Sequence, residues 1–202
     1  MTLNKVLLST TYFGPVQWYQ KLHRAEHVQI ERWESFQKQT YRNRCLIATT
    51  QGIQALTVPV VRGETSLMKD LRISDHGNWR HLHWNALQSA YGESPFFEYY
   101  QDDIRPFFQN RWEFLLDFNE AIREKMCELI DIQPQVSYTE QWVEHSASLD
   151  YREAINPKHP APDPDFVSRP YYQVYQQKHG FQPNLSILDL LFNMGPEGIF
   201  WL

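Results

Sequence analysis

At 202 residues the chain can bury one sizeable core, and its balance of 42% apolar and 21% charged residues is that of a globular protein. The formal net charge of −5 argues against a general nucleic-acid binder, whose footprint is a basic face, while leaving room for a local basic patch on a small anionic substrate. No stretch approaches the ~18 apolar residues of a membrane span, and the amino-terminal run Val6–Leu8 is too short for a secretory leader, so the cytoplasm is the expected compartment. Cys45 and Cys127 lie far apart and form neither a disulfide framework nor a zinc pattern. Aromatic residues make up 15%, which suits a ring-rich core or a pocket whose rings stack on a sugar or base.

In chain order, Val6 to Thr10 reads as a strand and Pro15 as the first turn of a helix running to about Ala25. The alternation from His27 to Trp33 reads as a second strand. A strand–helix–strand opening favours parallel pairing. Cys45–Thr49 and Ile53–Val61, joined across Gly52, read as a hairpin, with Pro59 marking an edge or a strand end.

The middle is helical. Trp79, Leu82, His83, Ala86, Leu87, Ala90 and Tyr91 form an amphipathic stripe that Asn78 opens and Gly92 closes. A helix follows Pro95 until Pro106 breaks it, and the longest stripe runs from Trp112 to Leu129, interrupted by Asn119. Five prolines between Asn156 and Pro170 mark an extended excursion. Ser186 caps a final short helix, with Asp189 placed as an acidic capping-box partner and Gly195-Pro196 as the stop. The expected fold is therefore α/β or α+β in one domain over 1–202. A mixed sheet occupies 1–75, a helical part 76–133, the proline-rich excursion 156–170, and a strap with a short helix 171–202. The strap docks in cis or on a second subunit, which leaves a homo-oligomer open.

Chemistry concentrates in two clusters. Lys38, Arg42, Asn43 and Arg44 crowd the mouth of a strand, and alternation would turn both arginines to one side. Forked guanidinium groups suit phosphate or carboxylate, though basic residues also protect sheet edges. The second cluster is Asp70 to His83, with two aspartates and three histidines. Its spacing fits no metal site; Asp70, Asp75 and His81 remain as acid–base candidates, and turn-and-cap chemistry is the alternative. His83 lies on the apolar stripe and reads as a core histidine or a pocket wall. Trp18, Tyr19 and Trp79 are the candidate stacking rings. No nucleophile elbow or glycine-rich phosphate loop is present, and the residues name no cofactor.

Several of these segments occur in an order that resembles the WbqC-like proteins of bacterial polysaccharide gene clusters. They are Tyr12, Pro15, Trp18-Tyr19, Ala25-Glu26-His27-Val28, Lys38, Asn43-Arg44 and Leu56-Thr57-Val58-Pro59-Val60, then Asp70, Trp79, Tyr91, Phe97 and Asn119. One departure stands out: many members carry a His-Gln-Pro run where this chain reads Leu8-Ser9-Thr10. The resemblance implies a part in O-antigen or other surface-polysaccharide production, with acyl or aminoacyl (glycine) transfer to a nucleotide- or lipid-linked sugar as the suggested activity. A nucleotidyl-transfer enzyme is one alternative, although Gln17-Trp18 stand where paired histidines would be expected. A non-catalytic sugar-binding partner is the other.

Overall fold

The computed structural model describes residues 3–61, 66–144 and 149–202. β1 (Leu3–Ser9), α1 (Val16–Arg24) and β2 (Ala25–Glu31) open the chain. β3 (Arg44–Thr49) and β4 (Gly52–Thr57) follow, then β5 (Val60–Val61) and β6 (Arg72–Ile73). The helical section holds α2 (Trp79–Tyr91), α3 (Phe97–Ile104), α4 (Pro106–Gln109) and α5 (Leu115–Ile130). β7 (Val136–Tyr138), β8 (Leu149–Asp150), α6 (Gln176–His179) and α7 (Ile187–Met194) complete the order, with a 3₁₀ turn over Gly195–Trp201.

The fold is mixed α/β. β1 and β2 pair in parallel with Val6 opposite Val28 and Leu8 opposite Ile30, all four fully buried. The crossover helix α1 enforces that direction, because it returns the chain to the end from which β1 began. β7 then adds to the free edge of β2 and β8 to the free edge of β1, both parallel, giving the order β7-β2-β1-β8. The carboxyl ends of all four strands therefore lie along one edge. Ser9, Glu31, Tyr138 and Asp150 end them.

Among the described residues parallel and antiparallel pairings fall in separate sheets, so the expected mixed sheet is divided into three units: the parallel four, the β3–β4 hairpin and the β5–β6 pair. The long strand read over Ile53–Val61 divides at Val58-Pro59, where proline's missing N–H ends the ladder. Asn78 stands at the start of α2 as expected, but its side chain makes no capping bond.

The strap is part of the core. Residues Ile187–Asn193 are all buried, and the Ser186 amide donates to the Leu46 carbonyl at 2.8 Å. Ser186 Oγ does cap α7, accepting from the Leu188 amide. Asp189 instead turns inward and accepts from Tyr91 (2.9 Å), Tyr171 (2.8 Å) and Gln173 (2.8 Å). The Ser186 amide, from which a capping-box carboxylate would accept, is already bound to the Leu46 carbonyl, and the Asp189 oxygens take these three donors instead.

Candidate functional site

The parallel sheet ends in charge. Glu31, on the last residue of β2, is fully buried and accepts from Thr139 Oγ1 at 2.7 Å, the Trp33 amide at 2.7 Å and the Val143 amide at 3.1 Å. Glu34 accepts from Ser9 Oγ at 3.0 Å and from Arg42, whose Nε and Nη2 lie 2.8 and 2.5 Å from its two oxygens. Arg152 grips Asp150 through Nε and Nη2 and brings Nη1 to 3.5 Å from Glu31. Three carboxylates thus face two guanidiniums at the sheet edge. Burial without such pairing would carry a large desolvation cost. Beside them, Thr10 and Tyr138 both donate to Glu120, which also binds Arg123 at 2.7 Å. Burial and the Glu120 charge push the Tyr138 hydroxyl up to about 12.

Above this network opens a hollow of about 520 Å³, lined by Trp33, Glu34, Gln37, Trp142, Asp150 and Arg152 among others. Trp142 is 50% exposed, and the Arg152 guanidinium sits 4.7 Å over its ring. Glu144 and Glu153 on the rim are exposed and have no ion-pair partner among the described residues. In open parallel sheets the crevice at the strands' carboxyl ends is where ligands bind. Indole faces beside carboxylate acceptors suit a hydroxyl-bearing ring.

The segment 33–39 separates this hollow from a second, of about 350 Å³, lined by Phe36, Lys38, Gln39, Asn43, Arg44 and Pro59 among others. Here the sequence cluster divides. β3 begins at Arg44, so Arg42 lies in the preceding turn and points inward to Glu34, while Arg44 points outward and donates to Thr57 Oγ1 at 3.1 Å. The shared face expected for the two arginines is not formed, because strand alternation does not extend through a turn. Asn43 donates Nδ2 to the Val58 carbonyl at 2.8 Å and leaves its buried Oδ1 without a partner among the described residues.

The other candidates are scattered. Asp70 is tied to Lys69 at 2.7 Å on the surface. Asp75 is tied to Arg80 at 2.7 Å and to Arg111 at 3.5 Å, and chiefly the Arg80 hydrogen bond holds its carboxyl below the usual range. His81 is exposed beside Asn85. None of these three lines either hollow. Trp18 and Tyr19 are buried in the core, with the Trp18 indole N–H donating to the Ser9 carbonyl; Trp79 is buried and donates to the Ser74 carbonyl. Stacking on a ligand needs an open ring face, which Trp18 and Tyr19 do not offer. Gln17 binds Asp163 and Asn184, a structural task at the position where a catalytic histidine of the nucleotidyl-transfer type would stand. His83 is a core residue, its Nδ1 2.9 Å from the Tyr12 hydroxyl, and Asn119 donates to the Arg42 carbonyl. Among the described residues no group of three His, Cys, Asp or Glu side chains could hold a metal.

The sequence reading missed Glu31, Glu34, Asp150, Arg152, Trp33 and Trp142. A usable signal existed in Glu31 and Glu34, which stand at the end of a strand in a parallel opening, where such sheets bind their ligands. Nothing local indicated that Asp150 and Arg152 would join them.

The family model described as the WbqC-like protein family matches residues 10–159 and 163–200. The chain is also similar to the uncharacterized protein Rv1507c of Mycobacterium tuberculosis, at 28% identity covering 80% of this chain and 81% of that protein. No solved structure matches it.

Proposed function

We propose, for a chain that belongs to the WbqC-like protein family, a sugar-directed transferase role in surface-polysaccharide production. The observation that carries this reading is the Trp33–Trp142 hollow at the carboxyl ends of the parallel strands, with Asp150 and Arg152 fixed at its base. The sugar ring packs against the exposed indole face while Asp150 accepts its hydroxyls. The anionic part of a nucleotide- or lipid-linked substrate crosses the 33–39 wall toward Lys38 and Arg44, the two sequence-predicted cations that remain outward-facing in the neighbouring hollow. For acyl or aminoacyl transfer, a sugar hydroxyl or amine attacks the acyl carbonyl and gives its proton to Glu153 or Glu144. The donor's leaving group departs with the bonding pair.

A second reading, sugar binding without catalysis, is favoured by one observation. Asp70 and Asp75 are occupied by Lys69 and Arg80, and neither converges with Arg44 in a closed pocket.

Thermal-shift titration with nucleotide-sugars tests the shared part. At 100 times its dissociation constant a ligand stabilises by about 2.7 kcal/mol, and that shift is expected to vanish in Trp142→Ala and weaken in Arg44→Ala. Absence of any shift, or a shift indifferent to both variants, sinks the proposal. Mass spectrometry of the sugar after incubation with activated acyl donors then separates transferase from binder: Glu144→Gln/Glu153→Gln should abolish a mass gain if the chain catalyses.

A further inference from the structure

A third hollow, of about 340 Å³, lies at the start of α2 and belongs to neither of the two described above. Its wall carries Arg80, Arg105 and Arg111 with His81 and Trp84. Among the described residues one carboxylate answers the three guanidiniums: Asp75, 2.7 Å from Arg80 and 3.5 Å from Arg111. Arg105 has no carboxylate partner among the described residues and lies 5.9 Å from the Trp84 ring. Arg80 stacks 4.6 Å over Trp79, and its Nε and Nη2 are shut off from solvent with no acceptor among the described residues.

The backbone adds to this. The Leu82 amide is the first to find an intrahelical acceptor, the Asn78 carbonyl. Asn78 makes no side-chain cap, and the first turn of α2 holds no acidic residue. The amides of Trp79, Arg80 and His81 therefore point out of a 13-residue helix toward a cationic hollow without an acceptor among the described residues. Unpaired donors at a helix start attract anions, and guanidinium forks bind phosphate oxygens in pairs.

We propose that this hollow is an oxyanion site for a phosphate group, with Arg105 and Arg111 as the accessible forks, the first-turn amides of α2 as the inner donors and the buried Arg80 adding its charge behind them. The phosphate comes either from a small soluble phosphoester or from a phospholipid headgroup. The site stands apart from the sugar hollow and does not depend on the transferase reading.

The experiment uses the full chain at low salt. Isothermal titration with inorganic pyrophosphate is run beside flotation with phosphatidylcholine vesicles, with and without an anionic phospholipid. The expected result is binding of one of the two probes, weakened at least about tenfold in Arg105→Ala/Arg111→Ala through loss of two charge-assisted contacts. Binding of pyrophosphate assigns the soluble source, and flotation on anionic vesicles alone assigns the headgroup. Both arginines are exposed, so the variant's fold is verified by circular dichroism, with Arg111→Glu as a second, single substitution that should weaken binding further than Arg111→Ala. Binding that survives in both variants but vanishes in Lys38→Ala/Arg44→Ala overturns the proposal and moves the anion to the other hollow. Failure of wild type to bind either probe also overturns it.

Discussion

Glu34 holds Arg42 through two parallel hydrogen bonds, Nε to one oxygen at 2.8 Å and Nη2 to the other at 2.5 Å, with both side chains 4% exposed. The pair joins β1 to the turn before β3, because Arg42 Nη2 also donates to Ser9 Oγ at 2.8 Å. Removing one partner strands a buried charge, at a cost of about 3–5 kcal/mol. Arg42→Ala is therefore expected to lower the urea unfolding midpoint severely, with Arg42→Lys recovering part of the loss through a single bond. A ligand-binding role predicts the reverse: an unchanged midpoint and lost binding.

Two buried groups pull stability in opposite directions at mildly acid pH. Burial raises the Asp189 carboxyl to about 6 from an ordinary value of 3.8, opposed by the Tyr171, Gln173 and Tyr91 hydrogen bonds. The folded state then holds that proton more tightly, so the contribution of Asp189 is complete below pH 3.8 and is lost as pH rises through about 6. Burial lowers His83 to about 4 from 6.5, so its contribution is complete above pH 6.5 and is lost as pH falls through about 4. Each amounts to roughly 3 kcal/mol at about 1.36 kcal/mol per pH unit, and they largely cancel between. Asp189→Asn removes one of the two, so its melting temperature should fall more steeply than that of wild type as pH drops from 6 to 4. Parallel melting curves across that range contradict the assignment.

Lys21, with no exposed surface, reaches Asp163 at 2.8 Å and lies 4.3 Å over the Tyr151 ring. Gln17 donates to the same carboxylate at 2.7 Å. Asp163 is thereby the point at which the proline-rich excursion is fastened to α1. Asp163→Asn leaves the ammonium buried without its counter-charge and should speed limited proteolysis within 156–170. Cleavage at the wild-type rate would mean that the excursion is held elsewhere.

What could be read in advance was what each segment decides for itself. The parallel opening followed from a helix between two apolar strands, α2 and α5 from the spacing of their apolar positions, and the cap of α7 from Ser186. β7 and β8, three and two residues long, carry no periodicity of their own and exist because β1 and β2 offer open edges. The charge network was hidden for the same reason. Arg42 reads as a surface cation until Glu34 is placed eight residues away in sequence and 2.5 Å away in space, and Glu31 meets Thr139 only across 108 positions. Asp189 misled because its spacing from Ser186 is that of a capping box, whereas its partners lie on α2 and in the segment before α6.

Gly195 ends α7 with φ +57° and ψ −136°, and a Cβ there would lie 2.6 Å from the Phe96 ring. Two costs follow from Gly195→Ala. The backbone conformation is one that side chains avoid, worth about 1–3 kcal/mol, and the clash adds about 1–3 kcal/mol of overpacking. Gly52 separates the two effects, since its φ is +108° but a Cβ added there would meet nothing within 4 Å. Gly52→Ala should therefore show backbone strain alone. In denaturant unfolding, Gly195→Ala is expected to lose more stability than Gly52→Ala, and Gly195→Ala/Phe96→Leu should recover part of the difference by opening space for the methyl. Equal losses at the two glycines would mean that the Phe96 ring yields freely and that the turn after α7 is not held by that contact.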